Sequence, residues 1–548
     1  MKAKSRQYLS DFRFPALSIA AGLLAAILIF SCATSAPGQQ TRLVVMIVVD
    51  QMRADYLDRF AVNFTGGFKR FIQDGRRFTH AYHDHAATET AVGHAVLATG
   101  ELPAHNGIIG NYWFDHVSKQ RIYACEDSTC EIAGFPEAHG MSPKQLLAPA
   151  IGDIAKSLDD KSTVVSLAQK DRAAILMGGK NPDAAIWFLA SKGKFVTSTY
   201  YADTIPAWID SFNHSGLAES FADSIWTKVL PDSAYSNRDS DDYFPHRLDS
   251  VKRPLDEDYY YALSTSPYGD ALMLALAGQA ISYYHLGADN DCDFLLVSCS
   301  AADYIGHEFG PDSPEIEDYY IRLDRMLGSF FANLDSLVGR DHYLAVLSSD
   351  HGVMPTPEKL IEKGIKASRL DRKMVNSAID SSFTAIGDRL GLESGFCRLT
   401  GGQLFLDEDN ITAAGLTADS VEHVMANELK QLAFIEDVYT ATELAQDNTS
   451  DRPYFNLYKN CFRVDQSPHL YLRFPEYTLI SSDTSGTGHG SPYIYDNHVP
   501  IVFLGGRIKP GVCDDSVRTV DVAPSILKYL NDDVETHFDG HDILRSYD

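Results

Sequence analysis

Leu43-Val-Val-Met-Ile-Val-Val49-Asp50 is a run of seven uninterrupted apolar residues closed by an acid. A run this rich in β-branched side chains has no polar face to turn to water, so it reads as a strand covered on both sides, as in α/β folds. Similar runs recur at Ser162 to Leu167, Phe294 to Ser298, Tyr343 to Leu347 and Pro500 to Leu504. Helical patterns lie between them, at Gly269 to Leu286, Pro314 to Val338 and Val520 to Leu530. This alternation predicts an α/β fold with a doubly wound, mainly parallel sheet. In such sheets the working residues stand just past the carboxyl ends of the strands. That rule selects Asp50 after the first run, Asp303 and His307 after the third, and Asp350 with His351 after the fourth.

With 548 residues, the chain exceeds one ordinary core. The expectation is one catalytic body over residues 41–548, with insertions at about 193–256 and 357–479. The first insertion is rich in Tyr, Ser, Asp and Pro; the second carries helical patterns at Asp371 to Leu390 and Ala418 to Leu432. A formal charge of −27 argues against a nucleic-acid-binding surface, so any site for anions must be built locally.

Residues 1 to 32 read as an export signal, with Lys2, Lys4, Arg6 and Arg13 ahead of an apolar run from Ala16 to Phe30. Ile29-Phe30-Ser31-Cys32 resembles a lipoprotein cleavage box, which would make Cys32 a lipidated first residue and anchor the protein to a membrane, the outer membrane being the candidate. Ordinary cleavage after Ala-Thr-Ser-Ala36 and a retained anchor helix are the alternatives. All three predict an exported protein, periplasmic or membrane-anchored; the sequence does not fix the oligomeric state, and a monomer is the expectation. Seven cysteines remain; Cys125 and Cys130 are the expected disulfide pair, and Cys299, at the end of an apolar run, the expected buried thiol.

Chemistry concentrates around Ala87-Thr-Glu-Thr90-Ala-Val-Gly-His94 and its sequel Gly107-Ile-Ile-Gly-Asn111. A threonine where a helix begins meets unpaired N–H groups and the positive end of the helix dipole, which favour an ionised hydroxyl or a phosphate brought up to it. A threonine hydroxyl is a poor nucleophile at neutral pH and needs an activator. Asp50, Asp303, His307, Asp350, His351 and His489 supply one, since carboxylates and imidazoles without thiolate suit catalytic zinc or a similar divalent ion. Asp303 and His307 share one helical face at i and i+4. Gly352 permits the turn that Asp350 and His351 need to serve one site, and His489 sits in a glycine-lined loop. Taken singly, each of these pairs reads as well as a hydrogen-bonded surface or core pair. Thr88 is a rival hydroxyl.

In order, Val-Val-Asp50, Thr90-Ala-Val-Gly-His94, Gly-Asn111, Asp303-Tyr-Ile-Gly-His307, Ser-Ser-Asp350-His351-Gly and Gly-His489-Gly resemble the alkaline phosphatase superfamily. The resemblance is strongest to exported, phosphate-irrepressible alkaline phosphatases with a threonine nucleophile. It implies two zinc ions per chain, one on Asp303, His307 and His489, the other on Asp50, Asp350 and His351 with Thr90 as a further ligand. It also implies hydrolysis of small-molecule phosphate monoesters through a phosphothreonine intermediate. Asn111 would donate to a phosphate oxygen. Lys170-Asp171-Arg172 resembles the Lys-x-Arg of the monoesterases; in an extended strand Lys170 and Arg172 would point the same way and grip a dianion together. A phosphodiesterase on the same scaffold is the nearest alternative, and a metal- and phosphate-binding surface protein without catalysis a more distant one.

Overall fold

The computed structural model describes residues 40–236, 243–248, 255–446, 450–530 and 537–544. The export signal, Cys32 included, lies outside them. Among the described residues no helix is long and apolar enough to cross a membrane.

The main sheet has nine strands. In chain order they are β1 (Leu43–Val49), β2 (Arg76–Tyr82), β3 (Val164–Ala168), β4 (Ala184–Leu189), β5 (Lys194–Val196), β6 (Asp293–Cys299), β7 (Tyr343–Ser348), β8 (Ile501–Gly505) and β9 (Gly511–Arg518). Across the sheet they run β9-β2-β8-β7-β1-β6-β3-β4-β5. The block β7-β1-β6-β3-β4 is parallel throughout. β8 is antiparallel to both of its neighbours, and β5 to β4. The sheet is thus mainly parallel, as the alternating runs predict.

β1 lies at the centre, and its seven side chains divide between two cores. Leu43, Val45, Ile47 and Val49 pack on one face with helices α3 (Pro267–Tyr284) and α5 (Pro314–Leu337). Val44, Met46 and Val48 pack on the other, against Ile526 and Leu527 of α7 (Val522–Leu530). All seven are fully buried, the physical content of an unbroken apolar run. β1 is also where the chain reverses its lateral direction, with β6 on one side and β7 on the other. A crevice opens at such a point, beyond the carboxyl ends of the strands.

β5 falls inside the stretch read as an insertion from about residue 193, yet it closes the main sheet. Beyond it, Trp208, Trp226 and Leu248 join the same core as Val45 and Ile47. Later in the chain, a four-stranded sheet contains Cys397–Thr400, Gln403–Leu406, Leu470–Arg473 and Asp437–Thr440. It packs with α6 (Arg372–Leu390) and the helix Ala418–Leu429 around a core of its own that includes Val375, Ile379, Val421 and Leu470.

The seven cysteines among the described residues are all free thiols, which corrects the expected Cys125–Cys130 disulfide. Cys125 is buried in the core with Trp113, whereas Cys130 directs its sulfur to the carbonyls of Asp127 and Met141, at 3.4 and 3.3 Å. Cys299 is a buried free thiol, as expected.

Candidate active site

Four strand ends deliver the polar groups. Asp50 follows β1; Asp303 and His307 lie one turn apart on α4 (Ala301–Phe309), directly after β6; Asp350 and His351 follow β7. Lys170 follows β3, and the loop 486–490 brings in His489. Asp50, Asp350 and His351 are completely buried.

The three histidines are oriented by a common device. Nδ1 of His307 faces the carbonyl of Thr487 at 2.9 Å, that of His489 the carbonyl of Thr88 at 2.8 Å, and that of His351 the carbonyl of Gly352 at 2.9 Å. A proton on Nδ1 satisfies each carbonyl and leaves Nε2 with its lone pair free, the arrangement metal-binding imidazoles adopt. The Nε2 atoms then converge on carboxylates. His307 and His489 lie 3.1 and 3.6 Å from Asp303 Oδ1, and His351 lies 3.6 Å from Asp50 Oδ1 and 3.5 Å from Asp350 Oδ2. Two sets of ligand atoms fall close enough together to hold an ion, Asp303 with His307 and His489, and Asp50 with Asp303 and His351. Asp303 thus belongs to both, and Asp350 flanks the second.

The donor chemistry fits divalent cations. Both oxygens of Asp50, Oδ2 of Asp350 and Nε2 of His351 are buried without a hydrogen-bond partner. Lys170 Nζ does approach Asp50 Oδ2 to 2.6 Å, an ion pair lacking hydrogen-bond alignment, and donates to Asp303 Oδ2 at 2.6 Å. Three buried carboxylates around one ammonium remain an excess of negative charge, which is costly unless cations offset it. Titration follows the same pattern. Burial, reinforced by Asp350, pushes the Asp50 carboxyl well above its ordinary range. Burial also opposes ionisation of Asp303, but the His307 and Lys170 charges outweigh it and hold that carboxyl low. Burial keeps His351 and His489 toward the neutral form, the form that ligates.

Thr90 is the first residue of helix α1 (Thr90–Thr99), with Glu89 as the capping residue. Asn111 Oδ1 accepts from the backbone N–H of Ala91 at 2.9 Å, so the oxygen of its amide is committed and the NH2 is left as the free donor. Arg172 Nη2 donates to Thr90 Oγ1 at 3.3 Å. The rival Thr88 is engaged elsewhere, donating its hydroxyl to the carbonyl of Ser491 at 2.9 Å. Glycine at 93 is required by contact, because a Cβ there would lie 2.0 Å from the carbonyl oxygen of Asp350. Helix α1 therefore rests directly on the backbone of a candidate ligand.

The Lys170-Asp171-Arg172 triplet is not the extended segment its spacing suggested. Lys170 alone is extended; Asp171 and Arg172 open helix α2 (Asp171–Gly178). The two cations consequently part, Lys170 toward Asp50 and Asp303 and Arg172 toward Thr90. Asp171 accepts from Tyr123 Oη, and that oxygen in turn meets Arg172 Nη1 at 3.4 Å, which fixes the guanidinium from behind.

Several participants escaped the sequence reading. Gln51, directly after Asp50, has φ +65°, a left-handed backbone unusual for a side-chain-bearing residue. Its N–H donates to Asp350 Oδ1 at 3.1 Å and its side-chain amide to Asp303 Oδ1 at 2.6 Å, so one residue braces two of the acids. Gly306 makes room for it, since a Cβ there would fall 1.8 Å from Gln51 Oε1. His94 faces Asp350 Oδ2 at 3.3 Å while its other nitrogen meets Ser298 Oγ at 3.0 Å. The only advance signal for His94 was its position four residues after Thr90, one helical turn, and for Gly306 its place inside Asp303-Tyr-Ile-Gly-His307.

The family profile for type I phosphodiesterase/nucleotide pyrophosphatase matches residues 44–428. The chain belongs to that family, in the alkaline phosphatase superfamily. It is 32% identical to alkaline phosphatase PafA of Elizabethkingia meningoseptica, covering 89% of this chain and 91% of that one. It is 33% identical to alkaline phosphatase PhoV of Synechococcus elongatus, over 89% and 90%. The crystal structure of wild-type PafA superposes with a TM-score of 0.82 at 30% identity, covering 92% of this chain and 98% of that one. The protein is therefore an enzyme of alkaline phosphatase type, with the central mainly parallel sheet of that fold.

Proposed function

We propose that this enzyme hydrolyses phosphate monoesters to an alcohol and inorganic phosphate, with Thr90 as the nucleophile and phosphothreonine as the intermediate. Two zinc ions would be held by Asp303, His307 and His489, and by Asp50, Asp350 and His351 with Thr90 as the further ligand. Bound there, they would supply Lewis acidity, lowering the pKa of hydroxyl groups and offsetting charge on the departing oxygen. Thr90 attacks phosphorus at the start of helix α1, where backbone N–H groups and the dipole favour its anionic oxygen. Arg172, already 3.3 Å from that oxygen, pairs with the non-bridging oxygens of the phosphoryl group. Asn111 donates its free NH2 to another, and Lys170, paired with both Asp50 and Asp303, offsets part of their negative charge. Hydrolysis of the phosphothreonine returns the free enzyme.

The observation that carries this reading is the convergence of three carbonyl-anchored imidazoles and three buried carboxylates beside a threonine hydroxyl that meets an arginine. Elemental analysis of the purified protein, paired with rates on 4-nitrophenyl phosphate and bis(4-nitrophenyl) phosphate, tests it. Protein without stoichiometric divalent metal, or a higher kcat/KM on the diester, would overturn it. The diester outcome is the second reading, favoured by the description of the matching family. The chain is further proposed to be exported and lipid-anchored through Cys32; a Cys32→Ser protein that stays in the membrane fraction would count against the anchor.

A further inference from the structure

A cavity of about 380 Å³ opens beside the site, sharing His489 and Glu89 with it. It lies between helix α6 and the loop carrying His489. Val375 and Ile379, both buried, together with Leu479 and Tyr493 form apolar walls. Arg372 and Asn376 stand on the same face of α6, at the i and i+4 positions that flank Val375, and both are exposed. The cavity thus has apolar walls interrupted by polar groups, Glu89, His489, Ser491 and Asp496 among them, with the exposed Arg372 and Asn376 adding a cation and an amide.

We propose that this cavity receives the alcohol portion of the substrate, and that it selects phosphate monoesters of bulky, largely apolar alcohols, aryl alcohols above all, that carry an acceptor or anion at the far end. The proposal rests on the monoesterase reading above. In an in-line displacement the leaving oxygen departs opposite the nucleophile, so with Thr90 on one side the alcohol lies toward the His307 and His489 side. His489, on that side, is one of the two residues that the cavity and the site share, Glu89 beside Thr90 being the other. The volume falls within the 300–1,000 Å³ range typical of ligand pockets, and apolar walls with a few placed polar groups are what such pockets present to one face of a ligand. Among the described residues Arg372 makes a single hydrogen bond, Nη2 donating to the carbonyl of Ile480 at 3.1 Å, which leaves guanidinium donors for the far end of a substrate.

The test compares methyl phosphate with 2-naphthyl phosphate by kcat/KM, and methylphosphonate with 2-naphthylmethylphosphonate by inhibition constant, in the metal-loaded wild type and two filling variants. Leu479→Trp fills the wall nearest the loop, and Asn376→Trp does so from an exposed position that folding tolerates. The expected result is a loss of about tenfold on the naphthyl compounds in both readouts, with the methyl compounds within about twofold of wild type. Arg372→Ala should weaken a naphthylmethylphosphonate bearing a distal carboxylate and spare the uncharged one. Naphthyl and methyl compounds falling together, or neither falling in either Trp variant, would overturn the proposal. A wild type that prefers diesters strikes instead at the monoesterase reading, and is seen before any variant is made.

Discussion

Replacing Arg172 by alanine isolates the group proposed to distinguish a dianion from a monoanion. Its guanidinium stands 3.3 Å from Thr90 Oγ1 and is held from behind by Tyr123, so the variant removes a preformed charged donor without unpairing a carboxylate of the metal cluster. Hydrogen bonds to charged groups are worth about 1.5–3 kcal/mol, and about 1.4 kcal/mol is tenfold in rate. A loss of roughly 10- to 150-fold in kcat/KM on 4-nitrophenyl phosphate follows. The diester has one fewer ionised oxygen, so the loss on bis(4-nitrophenyl) phosphate should be severalfold at most. Lys170→Ala is the less clean experiment, because Lys170 pairs with Asp50 and Asp303 and its removal leaves those acids exposed to one another. The assay is therefore the ratio of the two kcat/KM values in Arg172→Ala, with bound metal measured on the same preparation. Equal losses on monoester and diester at unchanged metal content would refute the proposed selectivity.

Thr90→Ala should keep most of its metal and lose activity by roughly a thousandfold or more, as removal of nucleophiles does; near-normal turnover, or phosphoenzyme trapped by acid quench, would remove Thr90 from the mechanism. Gln51→Ala gives up the bond to Asp303 and should weaken metal retention about 10- to 100-fold in a chelator competition, with a normal fold by circular dichroism. Asp496 sets a pH dependence of stability: burial, only partly opposed by its bonds from Ser491, pushes its carboxyl up to about 7. A carboxyl raised in the folded state contributes stability that is complete below the unfolded value of about 3.9 and is lost as pH rises through the folded one. Wild-type Tm should therefore fall between about pH 4 and pH 7 through this group, and Asp496→Asn, which imitates the protonated acid, should fall less steeply over that range. Parallel curves would show that Asp496 is not the group responsible.

The fold was legible where burial leaves a mark on composition. β1 could be recognised because both of its faces are covered, so all seven residues are apolar, and once the strands were located the end-of-strand rule led to Asp50, Asp303 and Asp350. Strand direction leaves no such mark, and nothing in Ile501–Gly505 distinguishes an antiparallel strand from a parallel one. The Lys170 triplet failed for a related reason: three polar residues carry no period, and the helix that begins at Asp171 is decided by Ala173, Ile175 and Met177 packing behind them. Gln51 was invisible because its role comes from a backbone angle, φ +65°, that no local motif announces. The cysteines misled because two thiols five residues apart need side chains that face each other, and here one belongs to the core and the other to a loop.

Charge explains why a chain of net −27 should act on a dianion at all. A phosphate ester meets repulsion over most of such a surface, so the attraction must be concentrated where the reaction occurs. Asp50, Asp303 and Asp350 contribute three negative charges there, and Lys170 and Arg172 return two. Two divalent cations on the proposed ligands would leave the empty site with a surplus of three positive charges. In the proposed reaction a threonine alkoxide would take up one of these and a monoester dianion the other two, which would make the reacting complex neutral. A diester monoanion leaves one positive charge uncompensated in a buried place, where an unpaired charge is expensive. Preference for monoesters then follows from the charge count of these five side chains and two ions as well as from Arg172. It should weaken in step with any substitution that adds or removes one buried charge, wherever in the cluster that charge sits.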